Sequence, residues 1–137
     1  MTSLTKILLI DDEEATNFYH KHIISEIGVA EEIECFENGT DAINYLTENK
    51  SDNDHTLIFL DLNMPGISGW EFMKIFGELK ETPDFRNTKL YILTTSVHDD
   101  DEFKALEDMS INGFINKPLT QASVEDIVEK HFKADQV

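Results

Sequence analysis

Leu57-Ile58-Phe59-Leu60-Asp61-Leu62-Asn63-Met64-Pro65-Gly66 decides how this chain is read. Four apolar residues run straight into an aspartate, and Pro65-Gly66 supplies a turn soon after. So short an apolar run, bounded by Pro and Gly, predicts a strand buried on both faces of a sheet. Asp61 then stands at the strand's carboxyl end, where open α/β sheets bind their ligands. Taken alone, Asp61 reads equally well as a turn-capping carboxylate, because Asp is common in turns.

Working outward, the same design recurs on both sides. Lys6 to Ile10 reads as a buried strand ending in Asp11-Asp12-Glu13-Glu14. Ile33 to Phe36 is a short second strand, Leu90 to Leu93 a fourth ending in Thr94-Thr95-Ser96, and Gly113 to Asn116 a fifth, stopped by Lys117-Pro118. Between them lie segments with helical spacing. Ala15, Phe18, Tyr19, Ile23, Ile24 and Ile27 mark the first, with Gly28 as its stop. Ala42, Ile43 and Leu46 mark the second, and Phe72, Met73, Ile75, Phe76 and Leu79 the third, opened by Gly69-Trp70. Phe103, Leu106 and Met109 follow the acids from Asp99, and Val124, Ile127, Val128 and Phe132 give a last amphipathic helix. Strands alternating with helices predict a parallel sheet between helix layers, because parallel strands need crossovers. We expect one domain over residues 1–137, with its core at about 5–133 and no output domain.

The bulk numbers narrow the function. A net charge of −17, from 28 acids against 11 basic residues, repels nucleic acid and anionic membrane. No apolar run approaches the ~20 residues that span a bilayer, and Ile7-Leu8-Leu9-Ile10 is too short for a signal core. A cytoplasmic protein that binds neither DNA nor membrane is the expectation. The single cysteine, Cys35, excludes an internal disulfide and reads as a small buried hydrophobe in a strand. The histidines, His20, His22, His55, His98 and His131, have no metal-ligand spacing and read as surface residues.

In a parallel sheet all carboxyl ends share one edge. Asp11 and Asp12 follow strand one, Asp61 strand three, Thr95 strand four and Lys117 strand five, so all converge where the strand order switches. Carboxylates brought together repel one another unless a cation intervenes. An all-oxygen donor set with few carboxylates suits Mg²⁺. Lys117 adds a point charge able to hold a phosphate oxygen. A carboxylate beside both is a nucleophile toward a phosphoryl group, and a Thr95 hydroxyl could bond the product oxygen. Each residue alone has a bland reading: a helix-start acid cluster, a strand-end threonine, a solvated lysine, a core aromatic at Phe114. The ordered set carries the functional one.

With those motifs in place, the chain resembles the receiver domains of two-component response regulators from Lys6 to Phe132. The likeness rests on Asp11-Asp12, Asp61 to Gly69, Thr95-Ser96 and Lys117-Pro118. It implies a doubly wound α/β, (βα)5 flavodoxin-like fold with a five-stranded parallel sheet in the order 2-1-3-4-5 and helices on both faces. It implies a stand-alone response regulator that accepts a phosphoryl group on Asp61 from a sensor histidine kinase or histidine phosphotransfer protein. Asp11, Asp12, Asp61 and the Asn63 carbonyl would hold Mg²⁺, and Lys117, Thr95 and Ser96 the phosphoryl oxygens. The Lys117–Pro118 bond would be cis. Thr95 and Phe114 would act as the switch, repacking the surface formed by the helix after Asp99, the last strand and the last helix toward a downstream protein target. The domain would be a monomer or weak dimer, and no enzyme beyond its own phosphorylation and dephosphorylation.

Some positions depart from the family pattern. Phe114 replaces a frequent tyrosine and so lacks its hydroxyl. Val97 is apolar where family members tune phosphate lifetime, and Asp99 to Asp101 add charge near the site. Two other readings compete with the switch. An aspartate-based phosphohydrolase would want a second acid where Asn63 stands. An unphosphorylated docking module would use the acidic face alone.

Overall fold

The computed structural model describes residues 4–49, 55–61, 69–79, 81, 85, 87–94 and 111–132. Five strands, β1 (Lys6–Ile10), β2 (Glu32–Phe36), β3 (Thr56–Asp61), β4 (Thr88–Thr94) and β5 (Gly113–Asn116), form one sheet in the order β2-β1-β3-β4-β5. Every neighbouring pair is parallel. The intervening helices are α1 (Glu14–Ile27), α2 (Gly39–Glu48), α3 (Gly69–Leu79) and a C-terminal helix, Gln121–His131. This is the doubly wound arrangement expected from the sequence. The helix expected from Asp99 to Met109 falls outside the described residues, as do Asn63, Thr95 and Ser96.

Alternation along the strands sorts the core into two halves. Leu8, Ile10, Ile58, Leu60, Leu90 and Ile92 point to one face, where Ala42 and Leu46 of α2 and Phe72, Met73 and Phe76 of α3 cover them. Ile7, Leu9, Leu57, Phe59, Tyr91 and Leu93 point to the other, under Ile24 of α1 and Val124, Ile127 and Val128 of the C-terminal helix. Because both faces are covered, β1 and β3 are buried along their whole length, which is why they read as unbroken apolar runs. Each such side chain contributes roughly 1.5–3 kcal/mol on burial.

Local chemistry sets the helix ends. Gly28 takes φ +69° after α1 and returns its N–H to the Ile24 carbonyl at 3.1 Å, a left-handed cap that glycine adopts without steric cost. Asn38 caps α2 by accepting from the Asp41 N–H at 2.8 Å. Thr120 and Ser123 form a reciprocal capping box on the C-terminal helix.

Three sequence expectations are corrected. The sequence spacing puts Phe18 and Tyr19 in the α1 stripe, yet these are 76% and 51% exposed, and the buried face runs through Asn17, His20, Ile23 and Ile24. The helix is rotated so that two polar residues, rather than two aromatics, face the upper rim of the sheet, where backbone groups need partners. Cys35, expected buried, is exposed, because β2 is an edge strand that α1 covers only in part. His20, expected on the surface, is fully buried. His131 is half-buried, with Nε2 2.7 Å from the Tyr91 hydroxyl, whereas His22 stays exposed beside Glu26.

Candidate functional site

Strand register brings the acids together. Ile10 pairs with Leu60, so the next step places Asp11 level with Asp61 on neighbouring strands. Asp61 shares the parity of Leu57 and Phe59, and Asp11 that of Ile7 and Leu9, so both belong to the sheet face covered by α1 and the C-terminal helix. Asp11 and Asp61 are buried and Asp12 is exposed. Carboxylate oxygens of the three lie within 4.8 Å of one another. β5 ends just before Lys117, and the Lys117–Pro118 peptide bond is cis.

Lys117 closes the cluster. Its Nζ lies 2.5 Å from Asp11 Oδ2 and 3.6 Å from Asp61 Oδ1. Burial alone would push the ammonium pKa down, but the hydrogen bond to Asp11 and the charges of Asp61, Asp11 and Glu13 outweigh it and hold Lys117 above its ordinary value. The lysine therefore stays charged throughout the physiological range.

Further groups hold Asp11 in place. Its Oδ1 accepts the Glu13 backbone N–H at 3.0 Å, which aims the carboxylate at the start of α1. Asn17 Nδ2 donates to the Asp11 carbonyl at 3.0 Å and to the Phe36 carbonyl at 3.2 Å, tying together the ends of β1 and β2. His20 Nε2 accepts the Leu119 backbone N–H at 3.1 Å, two residues beyond Lys117. Desolvation lowers the His20 pKa, Asp11 opposes that and Lys117 adds to it. The sequence alone gives neither Asn17 nor His20 a role here. Counting back from the buried Ile24 by seven and by four would have placed both on the inner face of α1.

Phe114 is half-buried against the other core half, on the side of α2 and α3. It therefore does not line the acidic cluster. An open groove of about 530 Å³ lies between α1 and the β2–α2 edge, lined by Phe18, Lys21, Cys35 and Phe36 among others. It contains neither Asp61 nor Lys117, so it is separate from the acidic cluster at the sheet rim.

The donor set fits a small hard cation. Three carboxylates supply only oxygen, two of them buried and one exposed, a donor set that would suit a cation such as Mg²⁺. A family model of the response regulator receiver domain matches residues 7–136.

The chain belongs to the response regulator receiver domains.

Its solved relatives include a two-component response regulator from Cytophaga hutchinsonii, 30% identical with a TM-score of 0.79, the match covering 93% of this chain and 96% of that one. Response regulator Rcp1 of Synechocystis sp. is 28% identical over 114 residues, 81% of this chain and 75% of Rcp1. The hybrid signal transduction histidine kinase L of Dictyostelium discoideum is 25% identical over 130 residues, which are 95% of this chain but only 7% of that protein. Receiver domains are phosphoacceptors of two-component signalling, served by histidine kinases or phosphotransfer proteins. They bind Mg²⁺ at an acidic pocket of the kind assembled here from Asp11, Asp12 and Asp61. No helix among the described residues is long and apolar enough to cross a membrane.

Proposed function

We propose that this receiver domain takes a phosphoryl group from a phosphohistidine onto Asp61 and transmits the change to a protein partner. The observation that carries the reading is Lys117, whose ammonium reaches Asp11 at 2.5 Å and Asp61 at 3.6 Å on the rim where the three acids meet. A carboxylate oxygen of Asp61 attacks phosphorus, and the P–N bond to the donor imidazole breaks. The leaving nitrogen keeps the bonding pair, and an acyl phosphate forms on Asp61. Lys117 donates to a phosphoryl oxygen, exchanging part of its contact with the carboxylates for the incoming charge. Asp11, Asp12 and Asp61, with the Asn63 carbonyl, would hold Mg²⁺, which would supply neutralisation of the charge on the phosphoryl oxygens. Thr95 and Ser96 complete the phosphate contacts.

The new charge biases a two-state element. Thr95 moves toward the phosphate and Phe114 follows, reshaping the surface around β5 and the C-terminal helix for a downstream protein. In this reading the chain works in the cytoplasm and turns over no external substrate. The test is acetyl phosphate with and without Mg²⁺, read by intact mass. Wild type gains one phosphoryl group only with Mg²⁺, and Asp61→Asn gains none. Equal gain on Asp61→Asn, or gain without Mg²⁺ in the presence of chelator, would sink the reading.

A further inference from the structure

His20 is fully buried on α1, and its Nε2 accepts the Leu119 backbone N–H across 99 positions of sequence. A backbone N–H can only donate, so Nε2 carries the lone pair and the neutral ring has its proton on Nδ1. That Nδ1 has no partner among the described residues. Burying an imidazole with one nitrogen unsatisfied costs stability that an apolar side chain would not. The acceptor at Nε2 is what the position gains in return. Asn17, three residues before His20 and also on the buried face of α1, holds the Asp11 carbonyl. One helix face thus holds both flanks of the Asp11–Lys117 ion pair: the acid side through Asn17, the lysine side through His20 and Leu119.

We propose that His20 is a positioning residue for phosphoryl transfer, a latch that fixes the chain after Lys117 so that its ammonium lies over Asp11 and Asp61. The proposal rests on the Asp61 reading, because His20 acts only through Lys117. Leu119 is itself fully buried among Ile24, Val124 and their neighbours. The latch therefore joins a rigid helix to a packed anchor, two residues from the reacting centre.

The experiment measures phosphorylation by acetyl phosphate at saturating Mg²⁺ for wild type, His20→Leu, His20→Gln and Ile24→Val, each checked for folding by its melting curve. His20→Leu removes the acceptor and slows acceptance about tenfold, the scale of one lost hydrogen bond. His20→Gln, whose amide oxygen can accept the Leu119 N–H, stays within about twofold of wild type. Ile24→Val trims the same buried face and leaves the rate unchanged. In a Lys117→Met background His20→Leu has no further effect, as expected of a residue acting through that lysine. A wild-type rate in His20→Leu, an equal loss in Ile24→Val or in the Lys117→Met background, or no rescue by glutamine overturns the proposal. If wild type takes up no phosphoryl group, the Asp61 reading fails, and crystal structures still decide the latch. Lys117 keeping both carboxylate contacts in His20→Leu refutes it, and displacement of Lys117 supports it.

Discussion

Replacing Lys117 with methionine keeps the alkyl length and removes the charge, and its consequence follows from two distances. At an effective dielectric of ~20, gross attraction is ~7 kcal/mol for the 2.5 Å contact to Asp11 and ~5 kcal/mol for the 3.6 Å contact to Asp61. Desolvation of the buried charges cancels much of that. What remains on truncation is the penalty of leaving the other charge buried without its partner, commonly about 3–5 kcal/mol. The Lys117 and Asp11 side chains are 13% and 1% exposed, so solvent screens the pair little. Asp12 opens the rim to water, which points to the lower end, about 3 kcal/mol. Urea unfolding without Mg²⁺ should show that loss in Lys117→Met at an unchanged denaturant slope. Mg²⁺ should then stabilise Lys117→Met more than wild type, because the cation no longer competes with an ammonium for Asp11. The double variant with Asp11→Asn should be more stable than the sum of the singles predicts. Stability within about 0.5 kcal/mol of wild type, the scale of an ordinary surface substitution, with the same response to Mg²⁺, would refute the reasoning.

Three further outcomes follow from separate features. A Cβ at Gly113 would stand 2.8 Å from Tyr91 Cε2, in a ring held by His131, so Gly113→Ala should cost about 1–3 kcal/mol in urea unfolding; a neutral change would contradict the packing. Gly28→Ala forces a Cβ into a φ of +69° and should cost about 1 kcal/mol by the same assay, with no effect on phosphorylation. His20 and His131 are both held below the ordinary histidine value of 6.5, chiefly by burial, so the unfolded chain binds more protons than the folded one as pH falls. Their contribution is complete above 6.5 and lost as pH drops through the lowered values, so the fall in stability between pH 7 and 5 should be shallower in His131→Gln than in wild type. Lys117 has the opposite sign: its raised value keeps its contribution intact until the pH climbs past 10.5.

What could be read in advance was what strand geometry imposes. Burial on both faces makes β1 and β3 largely apolar runs, and the acid closing each run marks the same rim, so the meeting of Asp11, Asp12 and Asp61 is legible in the sequence. The helix faces were harder. On α1 the spacing of Phe18 and Tyr19 fits an apolar stripe nearly as well as the true one. The choice is made by two polar residues whose partners, Phe36 and Leu119, lie 19 and 99 residues away. No local pattern encodes that a histidine will find a backbone donor after a later strand, so His20 reads as surface until the fold is known. Cys35 reads as buried for a related reason: a strand's composition does not reveal that it lies on the edge of the sheet.

Of the 28 acids of the chain, Asp61 is the one proposed to carry the phosphoryl group. Borohydride reduction after treatment with acetyl phosphate and Mg²⁺ converts an acyl-phosphorylated aspartate to homoserine, and peptide mapping then identifies the residue. Homoserine is expected at position 61 and nowhere else, and is lost when Mg²⁺ is withheld. Reduction at Asp11, Asp12 or scattered surface acids, with position 61 intact, would contradict it.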